Sequence, residues 1–126
     1  MKNRTIKFKA KRIDNGEWVE GDLLTDGKGG NRYILPIEAN CFDEYEEVKP
    51  KTVCQYTGLK DKNGKEVFEG DNIFINRIGD YPVNQHHHVI YNSDFATFAT
   101  NIDRTFDWMR YEGKFEITGN IHDKTK

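Results

Sequence analysis

Turn signals recur about every ten residues along this chain, and only short β-prone runs lie between them, so the expected fold is mainly β. The first run shows the period most clearly. Ile6, Phe8 and Ala10 alternate with Lys7, Lys9 and Lys11, the pattern of a half-buried strand. Asp14-Asn15-Gly16 stops it, and Asn-Gly predicts a type I′ turn that returns Glu17–Glu20 antiparallel to the first strand. Thr25–Asn31 reads as a loop, and Arg32–Leu35 as a short strand bounded by Pro36. Phe42–Lys51, with Asp43, Glu44, Glu46 and Glu47, reads as a surface connection holding at most one helical turn. Thr52–Leu59 and Glu66–Asp71 then flank a second Asn-Gly turn at Asn63-Gly64.

The two Asn-Gly segments resemble one another. Each continues through an apolar pair to Glu-Gly-Asp, at Glu20-Gly21-Asp22 and at Glu69-Gly70-Asp71. Glycine can take positive φ, and an aspartate can accept bonds from N–H groups just beyond it, so both copies are expected to mark corners between strands. Further on, Arg77–Gln85 contains Gly79, Asp80 and Pro82 and reads as a loop. His88–Tyr91 and Asp94–Thr100 form an expected hairpin around Asn92-Ser93, and Lys114–Thr118 a closing strand. The one helical signal is Asp103–Gly113, with an N-cap aspartate, Phe106 and Met109 on one face, and a terminal glycine. The architecture expected is a single domain over residues 1–126, a small, partly open antiparallel β-barrel of short strands and hairpins with at most one short helix.

Only 36% of the residues are hydrophobic and the mean hydropathy is −0.85, values near those of chains that do not fold. An aromatic content of 13% offsets this, because each ring buries a large apolar area. No apolar run is long enough to span a membrane, and a net charge of −2 excludes a polycation. Cys41 and Cys54 form no recognisable framework, and the charged N-terminus lacks the pattern of a secretory signal, so a cytoplasmic location is expected.

The near-neutral total is uneven. Lys2, Arg4, Lys7, Lys9, Lys11 and Arg12 put six positive charges in the first twelve residues without an acid, which leaves −8 for the remainder. Lys7, Lys9, Lys11 and Arg12 are therefore candidate nucleic-acid contacts, with Phe8 or Trp18 available for stacking. The competing explanation is that the lysines protect an exposed strand edge from pairing. His86 and His88 share a strand face and could chelate a metal if His122 or a carboxylate supplied a third ligand; zinc needs three or four, and two do not make a site. No metal or cofactor is therefore expected. Ser93 lacks the strand-to-helix setting of a nucleophile elbow, and Cys54 reads as packing. Glu20, Asp22, Glu69 and Asp71 are explained by their corners, and Gly27-Lys28-Gly29-Gly30 lacks the ending of a phosphate loop.

The block from Val48 through Thr57-Gly58-Leu59, Asn63-Gly64 and Glu69-Gly70-Asp71 resembles the YopX family of phage and prophage proteins, the Bacillus prophage type unrelated to the secreted Yersinia proteins. Ile6–Ala10 is similar to that family's opening strand, and Phe115–His122 to its closing strand with Gly119-Asn120-Ile121. The resemblance implies a mainly β, phage-encoded protein and brings no established activity, catalytic residue or cofactor. The function expected is a non-enzymatic interaction module in the host cytoplasm, with a phage or host protein or a second copy as partner. A nucleic-acid-binding small barrel is the alternative, and a metal-dependent enzyme around His86 and His88 a weaker one.

Overall fold

The alternating N-terminal run folds as strand β1 (Phe8–Lys11), which pairs antiparallel with β2 (Trp18–Thr25), placing Ala10 opposite Val19 and Lys11 opposite Trp18. The computed structural model describes residues 5–78, 80–94, 96–101 and 114–123, apart from the side chains of Phe42 and Ile78. The chain divides into two compact units, Met1–Tyr56 and Thr57–Lys126. Its sheets are antiparallel, and the helical pieces among the described residues are single 3-10 turns at Phe42–Glu44 and Pro50–Thr52. The protein is thus mainly β, as the turn spacing predicts. The helix expected over Asp103–Gly113 lies outside the described residues.

In the first unit, β3 (Arg32–Pro36) pairs with β2, β4 (Glu46–Val48) with β3, and the start of β5 (Cys54–Lys60) with β1. The order is β4-β3-β2-β1-β5. Strand β4 corrects the expectation of a plain surface connection over Phe42–Lys51. Val48 is fully buried, and that one apolar side chain, backed by ladder bonds to β3, turns an acidic run into a strand. Past Lys11 the chain bends onto the other edge of β4. The Ile13 N–H donates to Glu47 O at 3.0 Å and the Lys49 N–H to Lys11 O at 2.8 Å, around the bridge between Arg12 and Val48. Four strands therefore curl around a core of Ala10, Ile34 and Val48, with Phe8, Val19, Leu23 and Val53 packed against it. This closure gives the unit its barrel character.

Two expectations about turns need correction. In both Asn-Gly turns only the glycine takes positive φ, +74° at Gly16 and +82° at Gly64, so neither is type I′. Longer loops do the work instead. Arg12 N–H donates to Glu17 O across residues 13–16, and Asp61 N–H to Lys65 O across residues 62–64, with one left-handed residue enough to complete each reversal. The Glu-Gly-Asp copies also differ. Gly70, at φ +86°, makes the expected corner between β6 (Glu66–Phe68) and β7 (Asp71–Ile78). Glu20-Gly21-Asp22 lies in the middle of β2, where Gly21 faces Phe8 on one side and Pro36 on the other. A Cβ at Gly21 would stand 1.8 Å from Leu35 O, so this glycine is required by a close backbone approach and not by a turn.

In the second unit, β6 lies beside the later part of β5, and β7, β8 (Tyr81–Asn92), β9 (Thr97–Thr100) and β10 (Glu116–Asn120) form a sheet of order β10-β7-β8-β9. Ile73 and Ile75 of β7 join Leu59, Val67, Val89, Ala99 and Phe115 in its core. The expected loop over Arg77–Gln85 is mostly strand, since Arg77 faces Pro82 and Ile78 faces Tyr81. Proline withholds only one donor, and it stands beside a register shift between Ile75 and Arg77 where the ladder is already interrupted. The hairpin around Asn92-Ser93 forms as expected, Asn92 opposite Thr97.

Asp61 ties the second Asn-Gly turn to the closing strand. Its Oδ1 accepts the N–H groups of Asn63 (2.8 Å) and Lys65 (2.9 Å), and its Oδ2 that of Ile117 (3.1 Å). Burial works against the charge, but the bonds from Ile117, Lys65 and Asn63 and the charge of Lys65 outweigh it, holding this carboxyl below its ordinary value.

Gly21→Ala should lower unfolding free energy by about 3 kcal/mol or more, because backbone cannot yield to the new methyl; a urea midpoint close to wild type refutes the close-approach reading. Asp61 should stabilise the protein fully above about pH 4, its unfolded value, and lose that contribution as pH falls through the lower folded value. Urea titrations from pH 6 to 2 should therefore show Asp61→Asn less stable at pH 6 and the gap to wild type closing in acid; a constant gap contradicts the linkage.

Candidate functional site

The candidate basic residues divide into two groups. Lys9 and Lys11 of β1 share a face with Trp18 and Glu20 of β2, because antiparallel register sets Lys9 opposite Glu20 and Lys11 opposite Trp18, and Lys7 just before the strand continues the alternation. Lys9 Nζ lies 4.5 Å and Lys11 Nζ 5.3 Å from the Trp18 ring centroid. Both are within the range of attraction between a cation and an aromatic face. Lys7 Nζ lies 4.0 Å from Glu20 Oε1 and 5.4 Å from the centre of the Tyr56 ring. The sequence identifies these three cations and the tryptophan; the strand pairing is what brings them together.

Arg12 belongs elsewhere. At the bend beyond β1 its guanidinium grips Asp14 as a fork, Nε to Oδ1 3.1 Å and Nη2 to Oδ2 2.9 Å, and Nη2 also lies 3.2 Å from Glu46. The hydrogen bond to Asp14 is the main cause that raises its already high pKa, with the charges of Asp14, Glu46 and Glu17 adding to it against partial desolvation. Sequence reasoning takes Arg12 together with the lysines because the run of alternating cations continues through it. It misses Glu46 as a partner, since that residue is distant in the chain and becomes a neighbour only through β4.

The histidine run takes the alternation expected of a strand. His86 and His88 lie opposite Phe74 and Asn72 of β7, and the His86 ring packs against Phe74 at 4.7 Å between centroids. His87 points the other way and is buried, its Nδ1 2.8 Å from Thr100 Oγ1 and its Nε2 3.2 Å from Gln85 Oε1. Among the described residues no three His, Cys, Asp or Glu side chains converge as ligands. Of the thiols, Cys54 is buried and donates to Thr52 O at 3.2 Å. Cys41 is exposed, and its hydrogen bond to Asp43, with desolvation and Glu44 adding, raises its pKa and keeps it in the less reactive thiol form.

The aspartate of the second Glu-Gly-Asp is structural. Asp71 is buried; its Oδ2 accepts the Phe68 N–H at 2.7 Å and its Oδ1 the side-chain amide of Asn120 at 2.9 Å. The Ile121 N–H donates to Gly70 O at 2.8 Å, so Glu69-Gly70-Asp71 and Gly119-Asn120-Ile121 meet in one hydrogen-bonded knot. The Phe68 donor lies three residues before Asp71, on the opposite side from the donors that the turn pattern suggests.

The family model described as YopX protein matches residues 7–126. The crystal structure of protein EF1440 from Enterococcus faecalis is similar over 95% of this chain and 95% of its own, with a TM-score of 0.56 and 24% sequence identity. That likeness is one of fold. No curated protein matches the chain.

The stacking of Lys9 on Trp18 is measurable. A double-mutant cycle of Lys9→Ala and Trp18→Ala should give a favourable coupling of about 0.5–1 kcal/mol in denaturant unfolding; additive losses would mean that the two side chains do not interact.

Proposed function

We propose, from the premise that the chain belongs to the YopX family, that it is a non-enzymatic interaction module of phage or prophage origin, working in the cytoplasm of the bacterial host. The observation that carries the reading is how the buried polar side chains are used. Asp61 and Asp71 serve backbone N–H groups and Asn120, Thr52 caps the turn at Lys49, and His87 joins Thr100 and Gln85. Among the described residues, each buried side-chain nitrogen or oxygen has a partner within the fold. A catalytic pocket concentrates polar groups poised for substrate, whereas these groups hold strands together. Chemistry of recognition is left to the surface, where a basic strand and an otherwise acidic chain provide complementary fields.

The phage setting is what the family resemblance implies. A reducing compartment is supported by two free cysteines, and no helix among the described residues is long and apolar enough to cross a membrane. The partner is a phage or host protein, or a second copy of the chain. Affinity capture from phage-infected cells, read by quantitative mass spectrometry, should return a stoichiometric protein partner, or sedimentation should show self-association. Absence of both overturns the reading.

Nucleic-acid binding is the second reading, favoured by the placement of Lys9 and Lys11 over Trp18. Contact through these two lysines would give a log–log salt slope of only about −2. Fluorescence anisotropy with labelled single- and double-stranded DNA distinguishes the readings. The interaction module should show no saturable binding at about 50 mM salt. Saturable binding lost on Lys9→Glu with Lys11→Glu would replace it with the nucleic-acid reading.

A further inference from the structure

The two Asn-Gly reversals are alike in sequence, and in such a pair the glycine has no side chain to keep its nitrogen away from the asparagine Cγ. Exposure does not separate the copies, since Asn15 and Asn63 both lie at the surface. Their hydrogen bonds do. Asn15 Oδ1 accepts the Glu17 N–H at 2.9 Å, which folds the carboxamide back across the Asn15–Gly16 peptide. The same N–H is placed to stabilise that oxygen as it takes negative charge during attack on Cγ. The carboxamide of Asn63 has no such donor among the described residues.

We infer that Asn15 is a site of spontaneous covalent modification, deamidating in the folded protein while Asn63 is protected. The Gly16 nitrogen gives up its proton to base in the solvent and bonds to Asn15 Cγ. The Cγ–Nδ2 bond breaks, and Nδ2 takes a proton from water and leaves as ammonia. Water then opens the cyclic imide. Addition at Cγ gives aspartate; addition at the Asn15 carbonyl carbon gives isoaspartate, with an extra methylene in the backbone of the β1–β2 hairpin. Ring closure requires rotation about the bond between the asparagine Cα and its carbonyl carbon. In the first turn this releases the Gly16 N–H from Arg12 O, a 2.9 Å bond in a largely exposed loop that opens at little cost. In the second turn it parts the N–H groups of Asn63 and Lys65, which share Asp61 Oδ1, and frees the Gly64 N–H from Asp61 O. Asp61 is 4% exposed, so donors lost there leave a buried carboxylate short of partners. Local charge runs the other way, because Lys62 and Lys65 flank Asp61 whereas Asp14 and Glu17 outnumber Arg12. Those flanking charges are mostly exposed and screened, so the cost of opening decides.

The inference goes beyond the interaction-module reading and does not rest on it. Its test ages the full chain in mildly alkaline buffer and, in parallel, in the same buffer with denaturing guanidinium chloride. Cleavage after glutamate puts Asn15 in the peptide of residues 1–17 and Asn63 in that of residues 48–66. Electron-transfer fragmentation locates the gain in mass and separates isoaspartate from aspartate. In the folded protein Asn15 should convert at least about fivefold faster than Asn63 and give both products. In guanidinium chloride, where neither turn persists, the two rates should converge. Conversion of Asn63 as fast as Asn15 in the folded chain, an Asn15 that stays unmodified there, or an Asn15 preference that survives in denaturant overturns the proposal.

Discussion

Asp61 accepts N–H groups from its own turn and from Ile117, 56 residues further along, and this single buried carboxylate joins the Asn63-Gly64 reversal to the strand that ends the fold. A chain with 36% hydrophobic residues cannot rely on a large core to hold its strands in register. Short strands contribute few ladder bonds each, so a charged acceptor that collects several backbone donors is worth more here than in an apolar protein. The knot of Asp71, Asn120 and Gly70 works by the same physics. Motifs that look like turn punctuation in sequence are thus fastening points in space.

The first unit solves its own closure differently. Val48 enters the core with Ala10 and Ile34, and this draws an acidic segment into strand β4. The bend of Arg12 and Ile13 onto β4 then removes an edge that would otherwise stand open. The bend also separates charges that are contiguous in sequence. Lys9 and Lys11 stay with Trp18 on the β1 face, and Arg12 goes to Asp14 and Glu46. One basic run therefore becomes a cationic strand face and, at the bend, an arginine occupied by acids.

The alternation of Ile6–Lys11, the hairpin that follows it, the mainly β class and the family resemblance were legible because strand period and turn chemistry are local properties. Less legible were features whose meaning depends on a neighbour far away in the chain. Glu-Gly-Asp is a corner at Gly70, where φ is +86°, and a strand interior at Gly21, where Leu35 O leaves no room for a Cβ. No local rule separates the two, since the second glycine answers to another strand. Pro82 suggested a loop, but the pairing of Arg77 with Pro82 and of Ile78 with Tyr81 places these residues in β7 and β8.

By itself the amino-acid sequence determined that this protein is built of short antiparallel strands, that its charge is divided between a basic beginning and an acidic remainder, and that its polarity is concentrated at reversals. Those properties follow from residue spacing and composition, which every stretch of chain carries with it. Tertiary structure alone decided which carboxylates became fastenings and which stayed on the surface, and which of the four cations share a face. The physical reason is that hydrogen bonds, ion pairs and close contacts act over a few ångströms in space, whatever the separation along the chain, and only the pairing of strands sets those distances.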